Sequence, residues 1–288
     1  GRISLCPMLS MKGKLCGDLT VACLYEEEFI VFGSGAAQEA HRRWFENHLD
    51  SFNVNYINRS DDFHGLAISG PKSREVLQKV VRDNVSNEKF KFRDSRRMYV
   101  AGVPAIVNRI SFTGELGYEI YVAPHYQIKL YEELTEAGKE FNIKPFGLRA
   151  LMSMRLEKNW GAWTLDYRPD FTAKETGLDA FINWDKEFIG KKYAKEDNSV
   201  NKLTPMVVET NEIDVTYNEA VLKDDKAIGY VTSGGFAHFV NKSVAFSYLD
   251  TNKLNSGKGI QVEINGDLFN CNLIKEPLYD PSGSKMRS

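Results

Sequence analysis

No run of about twenty continuous apolar residues, the length a membrane-spanning helix needs, occurs anywhere in the 288-residue chain. Nothing at the amino terminus reads as a signal peptide either. A membrane partner is therefore disfavoured, and the cytoplasm or the mitochondrial matrix is the expected setting. An excess of either charge is also missing: 37 basic against 39 acidic residues leave a formal charge of -2. No overall field draws in a phosphate backbone, so nucleic acid is disfavoured too. The four cysteines, Cys6, Cys16, Cys23 and Cys271, show neither the close pairing of a metal knuckle nor the density of a disulfide scaffold. Reduced, mostly buried thiols are expected. The histidines, His41, His48, His64, His125 and His238, lack metal-ligand spacing, and no Ser/His/Asp or Cys/His constellation can be assembled around them. An initiator methionine is absent as well: the chain opens on Gly1-Arg2-Ile3-Ser4, close to a strand-like run, which suggests a fragment.

What is present is a mixture of short periodic segments. Residues 18–25 and 28–33 are β-branched and aromatic, parted by glutamates, and read as a hairpin. Ala37, Ala40, Trp44 and Phe45 then recur at helical spacing between Ala36 and Leu49. Strands are expected at 53–58 and 63–69, and Gly70-Pro71 opens a second helix with Val76, Leu77, Val80 and Val81 as its apolar stripe. A strand pair at 97–101 and 104–111, a strand at 117–123, and helices over 126–141 and about 147–158 follow. This suits an α+β fold of ferredoxin-like split β-α-β layers, with helices on one face of antiparallel sheet. Beyond residue 195 helical periodicity stops, and short strand-like runs recur between Gly, Asn and Asp turns, as in a small β-barrel. The polar stretch 195–203 marks the expected boundary between a domain over 1–195 and a barrel over 203–288.

Few residues stand out chemically. Gly33-Ser34-Gly35 superficially matches a dinucleotide fingerprint, but Gln38 stands where Gly or Ala belongs and no acid ends the next strand. A simple helix-opening turn fits better. Glu119 lies inside an apolar strand, on the face opposite Tyr118 and Ile120. If that face is buried, the acid needs a partner, ordinarily a lysine or arginine; an exposed face would remove the need. Asp18 follows a glycine at the head of an apolar strand and, taken alone, reads as a turn residue.

In order along the chain, Gly17-Asp18-Leu19-Thr20-Val21, Ile68-Ser69-Gly70-Pro71 and the run from Arg109 to Glu119 resemble the aminomethyltransferase (glycine cleavage T-protein) family. The likeness continues through Met154-Arg155-Leu156-Glu157-Lys158, Ala162-Trp163, Glu175-Thr176-Gly177-Leu178, Phe188-Ile189-Gly190-Lys191 and Val231-Thr232-Ser233-Gly234. The Arg-Leu-Glu-Lys run with Ala-Trp, and the closing Glu276-Pro277-Leu278, are most similar to the folate module at the carboxyl end of dimethylglycine and sarcosine dehydrogenases.

The resemblance implies capture of a methylene unit from an N-methylated amino acid by tetrahydrofolate, with FAD confined to a separate or upstream dehydrogenase domain or subunit. It implies Asp18 as the catalytic carboxylate near the folate nitrogens, placed to orient the cofactor and help move a proton. It makes Glu119 the acceptor of the pterin N–H groups, with both acids serving one folate. Phe112, Tyr118 and Trp163 join Glu119 as expected cofactor-binding positions, and Glu175 is expected to hold a loop. No metal is implied. Phe112 stands where tyrosine is usual, Leu151 where an arginine serves the folate tail, and Leu5 where a free T-protein has tyrosine. The family's leading segment has no counterpart ahead of that point.

Overall fold

The first strands of the chain pair into a sheet of order β1-β2-β3, formed by β1 (Arg2–Leu9), β2 (Leu15–Tyr25) and β3 (Glu28–Phe32). The structure, a computed structural model, describes residues 1–210, 213–254 and 259–288. β2 and β3 are the expected hairpin, antiparallel with Thr20 opposite Phe32. That pairing removes the dinucleotide reading of Gly33-Ser34-Gly35, which needs a parallel strand ahead of the turn. The turn instead opens a single 3-10 turn leading into α1 (Gln38–His48). Residues 53–58, expected as a strand, belong to no sheet. Strand propensity needs a neighbouring strand to satisfy it, and Phe52, Val54 and Ile57 stay exposed here.

The next elements are β4 (His64–Ser69), α2 (Ser73–Val80), β5 (Ser95–Val100), β6 (Val103–Asn108), β7 (Gly117–Val122) and α3 (Gln127–Gly138). The four strands form an antiparallel sheet in the order β4-β7-β6-β5. Ala101 and Gly102, both at positive φ, make the tight turn between β5 and β6. Ile68, Met98, Val100, Val103, Ala105, Val107, Tyr118, Ile120 and Val122 meet Val76 and Leu77 of α2 and Leu130 and Leu134 of α3 in one core. With roughly 1.5–3 kcal/mol for each large apolar side chain buried, a one-residue slip of β7 would cost several such contacts. Register therefore holds Glu119 on the face away from the helices.

Further on come α4 (Leu148–Glu157), α5 (Ala173–Thr176) and α6 (Lys191–Lys195), then β8 (Asn201–Val208), β9 (Ala220–Lys223), β10 (Lys226–Ala237), β11 (Lys242–Asp250), β12 (Ile260–Ile264) and β13 (Asp267–Leu273). These strands close into a barrel in the order β10-β11-β8-β13-β12-β9 around Met206, Val221, Val231, Leu249 and Val262. The mixed α/β front and the closed barrel are those the sequence suggests, with β9 an additional strand.

The chain divides into two compact units that interleave along the sequence: residues 1–5, 20–147 and 282–288, and residues 6–19 and 148–281. This differs from the linear boundary at 195–203. Helix α4 hydrogen-bonds to the barrel through Ser153 Oγ and the Phe236 carbonyl, and Leu156 joins Ala237, Val244 and Phe246 in a shared apolar cluster. The segment 148–195 thus shares the barrel's unit. No helix among the described residues is long and apolar enough to cross a membrane.

Candidate functional site

Glu119 is half-buried on β7. Its Oε2 accepts a 2.6 Å hydrogen bond from the Tyr121 hydroxyl, and among the described residues it has no salt bridge. Burial pushes its carboxyl upward, opposed by the Tyr121 bond. The tyrosine phenol is raised in turn by burial and by the neighbouring acid. The cationic partner expected for a buried acid is not what this acid has. What remains is a carboxylate with unused acceptor positions, suited to a ligand that presents paired N–H donors.

The motif residues around it have separate duties. Arg109 is buried, and its Nη1 donates to Asn87 Oδ1 at 2.7 Å and to the Phe90 carbonyl, so this guanidinium clasps a loop. Phe112 sits half-buried in the β6–β7 connection. The adjacent Thr113 is tethered by a 2.7 Å bond between its Oγ1 and Ser69 Oγ of β4. Tyr118 departs from its expected place among the cofactor-binding residues. It is 1% exposed, stacks on Phe90 with ring centroids 5.8 Å apart, and lies in the helix-facing core. Strand alternation turns it away from Glu119.

In the other unit, Asp18 is half-buried on β2, with Cys16 and Thr20 on the same face while Leu15, Gly17 and Leu19 are buried on the opposite one. Burial raises its carboxyl from 3.8 to about 6, against a lowering backbone hydrogen bond. A proton can therefore be held or released near neutral pH. Burial also raises the Cys16 thiol, which leaves it a poor thiolate nucleophile beside Asp18. The strand is anchored from its start: the Leu15 amide donates to the Phe171 carbonyl at 2.9 Å. Gly13 turns at φ +74 where a Cβ would come within 2.7 Å of the Ala194 amide nitrogen. Glu175 completes a capping box with Thr172 at the head of α5 and receives Lys14 Nζ at 3.4 Å. Its expected loop-holding role thus has a definite geometry.

Trp163 rides half-buried on a turn locked from inside. The Ala162 amide donates to Asp166 Oδ2 at 3.0 Å and the Gly161 amide to the Tyr167 hydroxyl at 3.1 Å. Asp166 accepts from Arg155 Nη1 and Thr232 Oγ1, each at 2.5 Å, and Arg155 Nη2 donates to Ser233 Oγ at 2.6 Å. Tyr167 is raised by burial, then by Asp166, with a smaller contribution from the charge of Asp18. Tyr167 thus lies within electrostatic reach of Asp18. Arg155 and Asp166 are 1% and 0% exposed. Arg155→Met is expected to destabilise the protein by about 3–5 kcal/mol, because it strands a buried carboxylate. A thermal melt within a degree or two of wild type would contradict this.

Sequence reasoning missed Tyr121, although period-two alternation from Glu119 could have found it. It also missed Asn108 and Tyr167. Asn108 needs the β6–β7 register, and Tyr167 needs the fold of the 161–167 turn. No group of His, Cys, Asp and Glu among the described residues could hold a metal.

Residues 1–186 match the model of the GCVT N-terminal domain, and residues 201–280 that of the glycine cleavage T-protein C-terminal barrel domain. Mitochondrial dimethylglycine dehydrogenase of Homo sapiens is 33% identical over 297 residues, covering 100% of this chain and 34% of that protein. The chain thus spans about a third of the length of its dehydrogenase relatives. An aminomethyltransferase of Thermoanaerobacter pseudethanolicus is 30% identical over 283 residues, covering 96% of this chain and 76% of that protein. The crystal structure of glycine cleavage system aminomethyltransferase T from Bartonella henselae shares the fold, with a TM-score of 0.87 at 21% identity, covering 98% of this chain and 77% of that one. Both family models, together spanning nearly the whole chain, and the aminomethyltransferase likeness along most of its length lead to one conclusion: the chain belongs to the glycine cleavage T-protein family of folate-dependent aminomethyltransferases.

Proposed function

We propose that this chain is a tetrahydrofolate-dependent one-carbon transfer module that receives a methylene unit released from an N-methylated amino acid. In this reading the unit comes from an FAD-dependent dehydrogenase domain or subunit, as the likeness to dimethylglycine dehydrogenase suggests. The observation that carries the folate assignment is Glu119, a half-buried carboxylate whose hydrogen bond comes from a neutral phenol rather than a cation. Its free acceptor positions fit the ring N–H and exocyclic amino group of a pterin, which lie side by side.

Tetrahydrofolate, when bound, supplies the nitrogens that take up the one-carbon unit. The residues of the chain do the rest. Glu119 orients the ring by accepting its paired donors. Asp18, poised near neutral pH by burial, holds or takes up the proton displaced at the folate nitrogen. Trp163, on its locked turn, contributes an apolar aromatic surface. Holding reactants in register removes much of the entropic barrier, so few groups need act chemically.

The test is product analysis. The chain is incubated with tetrahydrofolate and an N-methylated amino acid turned over by an added FAD-dependent dehydrogenase. Accumulation of 5,10-methylenetetrahydrofolate above the rate without the chain is expected. Formation of 5-methyltetrahydrofolate from a methyl donor would instead identify a demethylase. Folate binding with no rate increase would identify a non-catalytic binding protein.

A further inference from the structure

The face of the β4-β7-β6-β5 sheet turned away from α2 and α3 surrounds Glu119 with uncharged neighbours. Glu119 lies opposite Asn108 on β6 and Ala67 on β4, and Tyr121 lies opposite Ile106 and Gly65. Residues directly opposite in an antiparallel pair project to the same face, with Cβ atoms about 5 Å apart. The other charged side chain of this face, Arg97 on β5, is paired with Glu28 of β3.

Tyr121 has little freedom. A Cβ on Gly65 would come within 2.9 Å of its ring, so the phenol lies flat where a side chain is missing. Phe32 packs on it with ring centroids 4.5 Å apart. Its hydroxyl is thereby fixed where it donates to Glu119 Oε2. Asn108 is 0% exposed, and its Oδ1 accepts from Ser95 Oγ at 2.6 Å while its Nδ2 has no partner among the described residues. Turning the carboxamide over would leave the other end unpaired instead, because the hydroxyl of Ser95 can serve only one end. A buried amide left half-satisfied is uncommon and calls for an explanation.

We propose that Tyr121 and Asn108 are positioning residues for Glu119, an inference that rests on reading Glu119 as the acceptor of the pterin donors. A carboxylate offers about four lone-pair sites. Tyr121 takes one in the resting protein. The spare N–H of Asn108 takes a second when the carboxylate turns to its ligand, leaving two coplanar sites for adjacent N–H groups. The pair thus selects ligands with a donor–donor edge and keeps Glu119 ionised to accept them.

The test is calorimetric titration of tetrahydrofolate into the full chain between pH 5 and 8. Tyr121→Phe is expected to weaken binding about tenfold at neutral pH, one lost charge-assisted hydrogen bond. It should also move the acid-side loss of affinity upward by about one pH unit, because removing a donor to the charged form makes the acid harder to ionise. Gly65→Ala, which displaces the phenol without removing it, should shift the profile the same way, and so should Asn108→Ala. A purely structural role predicts equal weakening at every pH, and that outcome overturns the proposal, as does a wild-type profile for Tyr121→Phe. Glu119→Gln run alongside separates the two layers. If it binds folate normally, the folate reading of Glu119 fails; if it alone loses binding, only the positioning inference fails.

Discussion

Asp18→Asn is expected to lower the rate of methylene transfer by about 10²–10⁴-fold, the range of a lost general acid or base, while the protein folds and still binds tetrahydrofolate. The substitution keeps the shape and hydrogen-bonding capacity of the side chain and removes its ability to exchange a proton. In the wild type, kcat/KM should fall on the acid side with a midpoint near the value of about 6 that burial imposes on Asp18, and this limb should vanish in the variant. A wild-type rate for Asp18→Asn would remove Asp18 from the mechanism.

The same residue ties activity to stability. Because its folded value lies above the ordinary carboxylate value of 3.8, the native state binds more protons than the unfolded chain between those two values. Stability contributed by the neutral acid is therefore present at low pH and declines as pH rises through that window. Asp18→Asn avoids this loss, so its melting temperature should exceed that of wild type at pH 8, by the equivalent of at most about 3 kcal/mol, and converge with it below pH 4. A more stable but inactive variant is the behaviour of a residue retained for function at a cost to the fold.

Glu119→Gln is the second large effect. The carboxamide presents an N–H where the pterin presents its own, so one hydrogen bond is lost and a donor is set against a donor. Losing one hydrogen bond to a charged acceptor, worth about 1.5–3 kcal/mol, and reducing the other to a bond with a neutral oxygen put the expected loss of tetrahydrofolate affinity at about 10²-fold or more. Burial raises the Glu119 carboxyl, so affinity in the wild type should decline as pH falls through that raised value and be insensitive to pH in the variant. Thermal stability should change little or rise, because Glu119 has no salt bridge among the described residues to lose and its neutral replacement avoids burying a charge. Calorimetry and a melt on one preparation measure both quantities.

Much of the architecture is legible in particular segments. The alternation in Gly117–Val122 sets Glu119 on the face opposite Tyr118, and the recurrent short strands after residue 195 indicate a barrel. Other features are not local. The 53–58 run has strand composition but no partner strand, and only the folded chain decides that. Tyr118, adjacent to Glu119 in sequence and expected as a cofactor contact, is sent into the core by the same alternation that turns Glu119 to the opposite face. Asn108 becomes a neighbour of Glu119 through the register of two strands, and Asp166 through its bonds to Arg155 and Thr232 becomes the hub of a turn.

By itself the order of residues determined the family, the α+β front with its closing barrel, and the two acids worth testing, because periodicity, turn chemistry and motif order are properties of short stretches. Only the tertiary structure decided which groups surround each acid: the Tyr121 hydroxyl in place of a cation at Glu119, and the desolvation that lifts Asp18 toward neutrality. Protonation and hydrogen-bond partnership depend on what packs around a side chain from distant parts of the chain, and no local pattern encodes that.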